Sequence, residues 1–349
     1  MPDTPSPGSA SYRQAGVDIA AAEGLIPRYA DLARVAGRPE VLAAVGPFSG
    51  LFNLRGYRDP VLVASADGVG TKLKLAALLG RYAGLGHDLV NHCVNDILTA
   101  GAEPLFFLDY IGGTDLPDEA KLEIVRGIAE ACRDAGCALL GGETADMPGL
   151  YASGDFDLVG FIVGAAERDN VIDGSRIQPG DVLLGLPSNG LHTNGYSLAR
   201  QVFQVGINGT ANEAARLLTH YDELGETLAD ALLRPHRCYL PGLKPVLPRL
   251  RGIAHITGGG IPGNLPRILP AGVAARLQRG SWPMPPIFGL IQRLGNVPDE
   301  EMASVFNLGL GVILAVAPED ADAIRAALPE ALVVGEVISQ HGEQRVVYA

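Results

Sequence analysis

Residues 105 to 143 hold the pattern that most narrows the choice of fold. LFFLDYI (105–111) is an apolar run of strand type, 118–135 places its apolar residues on one helical face before Gly136, and CALLGGETA returns to strand. Strand, amphipathic helix and strand in so short a stretch call for mixed layers of sheet and helix. The flanking sequence agrees. A strand at 61–66 precedes a helix at 73–79, a helix at 88–100 capped by Asp88 stops before Pro104, and 156–168 is a further strand. The polar, turn-rich ERDNVIDGSRIQPGD (167–181) places a domain boundary near 170. Beyond it come the strand DVLLGL, the loop PSNGLHTNG and a helix from Tyr196. Helices follow at about 223–233 and 285–306, the latter interrupted near Gly295-Asn296, with strands at 254–257, 308–316 and 332–338. The elements do not alternate as strict βαβ units, so the expectation is an α/β protein of α+β mixed layers in two domains, 11–169 and 170–349, after a tail at 1–10.

Composition removes several classes of function. The 349 residues suit about two domains of roughly 150 each, and no apolar run approaches the ~20 residues of a membrane helix. MPDTPSPGSA lacks the basic start and apolar core of a secretory signal, so it reads as a disordered tail on a cytoplasmic protein. Cys93, Cys132, Cys137 and Cys238 make neither a disulfide framework nor a zinc pattern and read as reduced, mostly buried thiols. A net charge of −12 argues against non-specific nucleic-acid binding. An acidic chain that binds a phosphorylated ligand must supply local cations or a divalent metal.

SADGVGTKLKLA (65–76) is the first candidate for such a place. It fits neither a Walker A loop nor a Rossmann fingerprint, because Leu73 stands where each would need another residue. Its acid precedes its glycines, so one strand-to-helix turn can offer Asp67 to a metal and the Gly68 and Gly70 amides, Thr71 and Lys72 to phosphate. Asp67, Asp96 and Glu143 come from separate elements, as oxygen ligands of Mg²⁺ do; singly, each reads first as a cap or a solvated acid. Gly141-Gly142 and Gly258-Gly259-Gly260 are further glycine turns after strand runs, suited to phosphate or simply to tight turns. His192 lies in a strand-to-helix loop where a side chain can face a crevice or merely solvent. His87, His92 and Cys93 are discounted as a metal site, since adjacent residues cannot share one helix face.

In order along the chain, SYRQAGVDI, DGVGTKL, VNDILTAGAEPLFFLDY, GGETADMPGLY, SNGLHTNGYSL, ITGGGIPGNLPRILP and GNVPDEEMASVFNLGLG resemble the phosphoribosylformylglycinamidine cyclo-ligase family. The resemblance implies a homodimer of two-domain α/β chains that uses ATP and Mg²⁺ to close formylglycinamidine ribonucleotide into aminoimidazole ribonucleotide. It implies catalytic roles for His192, Lys72 and Asp67. It places ATP at Gly68, Gly70, Thr71, Lys72, Asp88, Gly141 and Gly142. Substrate falls to Asn189, His192, Asn194, Thr257, Gly258, Gly259 and Gly260, and the metal to Asp67, Asp96 and Glu143. The alternatives are another ATP-using enzyme of the same superfamily, of small-molecule kinase or selenophosphate synthetase type, and a non-catalytic ATP-binding scaffold.

Overall fold

A computed structural model describes residues 16–349. The expected tail at 1–10 and the start of SYRQAGVDI lie outside the described residues. The first half contains α1 (Ile19–Ala33), the short antiparallel pair β1 (Val41–Ala43) and β2 (Leu51–Phe52), β3 (Pro60–Gly68), α2 (Lys72–Leu79), α3 (Ala83–Leu98), β4 (Glu103–Gly113), α4 (Asp118–Ala135), β5 (Ala138–Asp146) and β6 (Phe156–Glu167). The second contains β7 (Val182–Pro187), α5 (Tyr196–Phe203), α6 (Ala211–Leu217), the pair β8 (His220–Tyr221) and β9 (Glu226–Thr227), α7 (Leu228–Leu233), α8 (Leu240–Leu243), β10 (Leu250–His255) and α9 (Gly260–Asn264). It continues through β11 (Val273–Leu277), α10 (Pro286–Gly295), α11 (Asp299–Val305), β12 (Leu310–Val316), α12 (Pro318–Ala327), β13 (Leu332–Ser339) and β14 (Val346–Tyr348).

The stretch at 105–143 forms the one parallel pairing of the first sheet, β4 and β5 joined through α4. That sheet runs β3-β6-β4-β5, with its other pairs antiparallel. The second runs β10-β12-β7-β13-β11-β14 and is antiparallel except for β11 with β14. Strand alternation sends Phe107, Leu158 and Ile162 into the core beneath α3 and α4, whereas Leu62 and Phe161 stand about half exposed on the other face. One hydrophobic cluster runs from α3 and α4 through Tyr239 and Leu240 to β12, so the two halves share a core.

Helix α3 begins at Ala83, five residues before the expected start at Asp88. Gly84 and Gly86 lower helix propensity there, yet close packing requires one of them. A Cβ at Gly86 would lie 2.2 Å from the Ile128 backbone nitrogen, and one at Gly127 would lie 2.5 Å from the Ala83 carbonyl. Glycine on both helices lets α3 and α4 touch backbone to backbone. Asp88 is therefore an interior residue of α3 and not its cap.

Candidate active site

Asp88, Asn91, His92, Asn95 and Asp96 recur at helical spacing, so a single face of α3 presents five polar side chains to the second half. Asp88 takes the Lys72 ammonium at 2.8 Å and the His236 backbone N–H at 2.7 Å. Asn91 and Asn95 donate to the His236 and Arg237 carbonyls, and Asn95 accepts the Tyr239 N–H. His92 Nδ1 lies 2.7 Å from the Thr193 hydroxyl, and Asp96 lies 2.8 Å from His255 Nδ1 on β10. Four of the seven histidines, His92, His192, His236 and His255, thereby meet between the halves.

The charges sort by neighbour. Burial disfavours the His92 imidazolium, but Asp67 at 3.0 Å and Asp96 at 4.0 Å outweigh it and raise its pKa above the ordinary value. In return, despite burial, His92 lowers the Asp67 pKa and His255 lowers that of Asp96. His192 and His236 stack at 4.0 Å, and burial with neighbouring cations holds both well below the usual histidine range, so they are neutral at neutral pH. His192 sits at φ +61°, a left-handed position uncommon outside glycine, and both its ring nitrogens are buried without a hydrogen-bond partner.

The cluster opens into a cavity of about 580 Å³ lined by Ser65, Asp67, Asp96, His255, Thr257 and Arg267, among others. Asp67 and Asp96 line it with side chains 44% and 27% exposed. Two carboxylates beside space for phosphates and water suit Mg²⁺, which usually takes only one or two protein carboxylates. The Thr257–Gly260 turn is pinned by the Asn264 amide, which donates to the Thr257, Gly258 and Gly260 carbonyls. A Cβ at Gly260 would lie 1.9 Å from the Ala303 carbonyl, so this glycine serves packing. Asn194 Oδ1 adjoins Gly258, and Asn189 donates to the Pro235 carbonyl while its own Oδ1 is buried and unpaired.

Other expected residues fall elsewhere. Lys72 is fully buried, its ammonium taken up by Asp88 and the Arg234 carbonyl, so neither Lys72 nor Asp88 faces the cavity. Burial pushes the Lys72 pKa down and that of Asp88 up, each opposed by the other partner. The Gly68 N–H donates to Asp67, Gly70 takes φ +69°, and the Thr71 hydroxyl lies 3.3 Å from that of Ser197. Gly141, Gly142 and Glu143 line a second cavity of about 500 Å³ with Tyr29, Asp109 and Lys121. The register Asp67–Gly160–Asp109–Gly142 puts Glu143 three strand spacings, about 14 Å, from Asp67, so within one chain it does not join the Asp67–Asp96 pair. The trio His87, His92 and Cys93 does not assemble, since Cys93 points at the Gly160 carbonyl and His87 pairs with Glu130. His92 itself stands in the middle of the site. Neither it nor His236, His255 and Arg267 stands out in the sequence: His236 and His255 meet their α3 partners only across 148 and 159 residues.

The two α/β halves place the chain in the class of AIR synthase-related proteins. The model of its N-terminal domain matches residues 52–166 and that of its C-terminal domain residues 178–348. Within that class the chain belongs to the phosphoribosylformylglycinamidine cyclo-ligase family. It is 49% identical to the enzyme of that name from Desulfitobacterium hafniense, over 95% of this chain and 97% of the relative, and 50% identical to that of Myxococcus xanthus, over 97% and 98%. The fold is also that of the thiamine-monophosphate kinase of Stenotrophomonas maltophilia (TM-score 0.63, 18% identity, 93% and 95% of the two chains). The hydrogenase maturation protein HypE in complex with ATP shares it too (TM-score 0.65, 17% identity, 96% and 93%). Among the described residues no helix is long and apolar enough to cross a membrane.

Proposed function

We propose that this chain is an ATP-dependent ligase that closes formylglycinamidine ribonucleotide to aminoimidazole ribonucleotide, releasing ADP and phosphate in purine biosynthesis in the cytoplasm. The observation that carries the reading is near-full-length identity of about 50% to cyclo-ligases, with the crevice lying where the matched halves meet. The formamide oxygen is a poor leaving group. Transfer of the γ-phosphoryl group to it makes phosphate the leaving group, and the amidine nitrogen then attacks the activated carbon to close the ring. Such catalysis is mainly positioning and charge stabilisation.

Asp67 and Asp96 would hold Mg²⁺, which when bound neutralises phosphate charge. The Gly68 and Gly70 amides and Thr71 border the nucleotide, with Gly141, Gly142 and Glu143 in the second cavity as a separate contact. Neutral His192, its pKa held well below the usual histidine range, has a ring nitrogen free to accept a hydrogen bond from the attacking nitrogen and orient it. Asn189, Asn194, the 257–260 turn and Arg267 border the substrate. Lys72 and Asp88 act structurally. Purified protein should release ADP only when given formylglycinamidine ribonucleotide, with the aminoimidazole product detected alongside. Nucleotide binding without substrate-dependent ADP, or phosphoryl transfer to an unrelated small acceptor, would overturn the reading.

A homodimer fits the same reading. Leu62 and Phe161 lie on the sheet face that α3 and α4 leave uncovered, and Leu150 is also exposed. Phe161→Glu should convert a dimer to a monomer by light scattering; an unchanged mass would move the interface elsewhere.

A further inference from the structure

Ligand atoms of His92, Asp96 and His255 lie within 4.8 Å of one another. Around tetrahedral Zn²⁺, with bonds of about 2.0–2.1 Å, donors stand roughly 3.3 Å apart, so side-chain shifts of about 1 Å would close the set on an ion. His92 Nε2 is buried and, though 3.0 Å from Asp67 Oδ2, is not aligned with any hydrogen-bond acceptor. Its other nitrogen is held by Thr193, which fixes the ring with Nε2 toward the carboxylates. This is how a ligating histidine is oriented, one nitrogen anchored and the other presented. Asp96 is likewise supported, by the Ser65 hydroxyl at 2.8 Å.

Donor chemistry separates this set from a magnesium site. Mg²⁺ prefers all-oxygen ligation with several waters, whereas imidazoles joined to one carboxylate suit Zn²⁺, Co²⁺ or Ni²⁺. We propose that His92, Asp96 and His255, with a water as fourth ligand, form a binding site for a borderline divalent ion of the Zn²⁺ class. The site is built by α3 and β10 together, so neither half alone contains it. It shares Asp96 with the proposed Mg²⁺ position, and an ion held there takes that carboxylate from the nucleotide's metal. The site itself does not depend on the ring-closing activity.

The test uses the full chain without nucleotide or substrate. Co²⁺ should bind once per chain with the intense visible bands of a four-coordinate ion, Zn²⁺ should displace it, and a large excess of Mg²⁺ should not. His92→Gln and His255→Gln should each weaken Zn²⁺ binding by more than the ~10–100-fold that loss of an outer-shell partner costs, with folding checked by circular dichroism. His87→Gln, on the surface, should leave binding unchanged. A weak six-coordinate Co²⁺ spectrum, ready displacement by Mg²⁺, or binding unaltered in His92→Gln would each overturn the proposal. If a variant fails to fold, the wild-type spectrum and its resistance to Mg²⁺ decide. Binding is read without ATP, so this result and the ring-closure assay fail independently.

Discussion

Helix α3 carries two polar clusters one turn apart that solve the burial of charge in opposite ways. At Asp88 the charges are matched: the carboxylate holds the Lys72 ammonium at 2.8 Å and a backbone N–H, and the ammonium holds a carbonyl as well. One turn on, His92 faces the part-exposed Asp67 carboxylate at 3.0 Å beside the cavity, and across from it both His192 ring nitrogens are buried without a partner. A closed network fixes how the halves sit, and an open one keeps chemistry available at the cost of unsatisfied groups. The difference teaches that buried charge alone does not mark an active site.

The comparison breaks first at Lys72. Lys72→Met leaves Asp88 buried without its cation and should destabilise by about 3–5 kcal/mol in chemical denaturation. Lys72→Met with Asp88→Leu should recover only part of that, because the His236 N–H then loses its acceptor. A stability loss below ~1 kcal/mol would show that the pair is not the structural lock.

Asp109 sharpens the contrast as a buried carboxyl with no cation paired to it among the described residues. Burial pushes its pKa up to about 7, from an ordinary 3.8. Between those values the folded state holds a proton that the unfolded state has lost, so stability falls as pH rises from about 4 to 7. Asp109→Asn should remove the loss, gaining up to about 4 kcal/mol over the wild type at pH 8 and little at pH 4, at 1.36 kcal/mol per unit. Denaturation curves at both pH values check the sign.

In the open cluster the expected losses are in rate. His192→Asn, which tolerates a left-handed backbone, should lower kcat for ring closure by about 100-fold or more while ATP affinity moves only a few-fold. Equal loss of both would make His192 a packing residue. Asp67→Asn should lower substrate-dependent ADP release by ~10–100-fold, with an unfolding midpoint close to wild type. Near wild-type activity would remove Asp67 from the metal position.

Most of the scaffold was legible in the sequence because strands β3, β4, β5, β6, β7, β12 and β13 are apolar runs with turn residues at their ends, and α4 has an unbroken amphipathic face. The interruption at Gly295-Asn296 was legible for the same reason, since Asn296 takes a left-handed φ after α10. Helix α1 and strand β11 were not read: α1 has Pro27 inside it, and β11 is a five-residue alanine-rich strand. The site divided differently. Asp67, Asp96, His192 and Thr257 were visible because each ends or follows an element in a glycine-marked loop or on a polar helix face. His236 and His255 sit in plain context and acquire meaning only through contact with α3. Lys72 misled because a lysine beside glycines looks the same whether it faces phosphate or is sealed inside.

The polar face of α3 also has a history in time. Its partners, the 234–239 segment and β10, lie about 140 residues or more downstream of Asp96. At a synthesis rate of about 5–20 residues per second, the ribosome needs roughly 7 to 30 s to deliver them. For that interval the first half can form its sheet and helices while this stripe of acids, amides and imidazole remains in water, where it is well solvated. Its burial is thus among the last events in making the molecule, and the crevice comes into being only as the nascent chain is being finished.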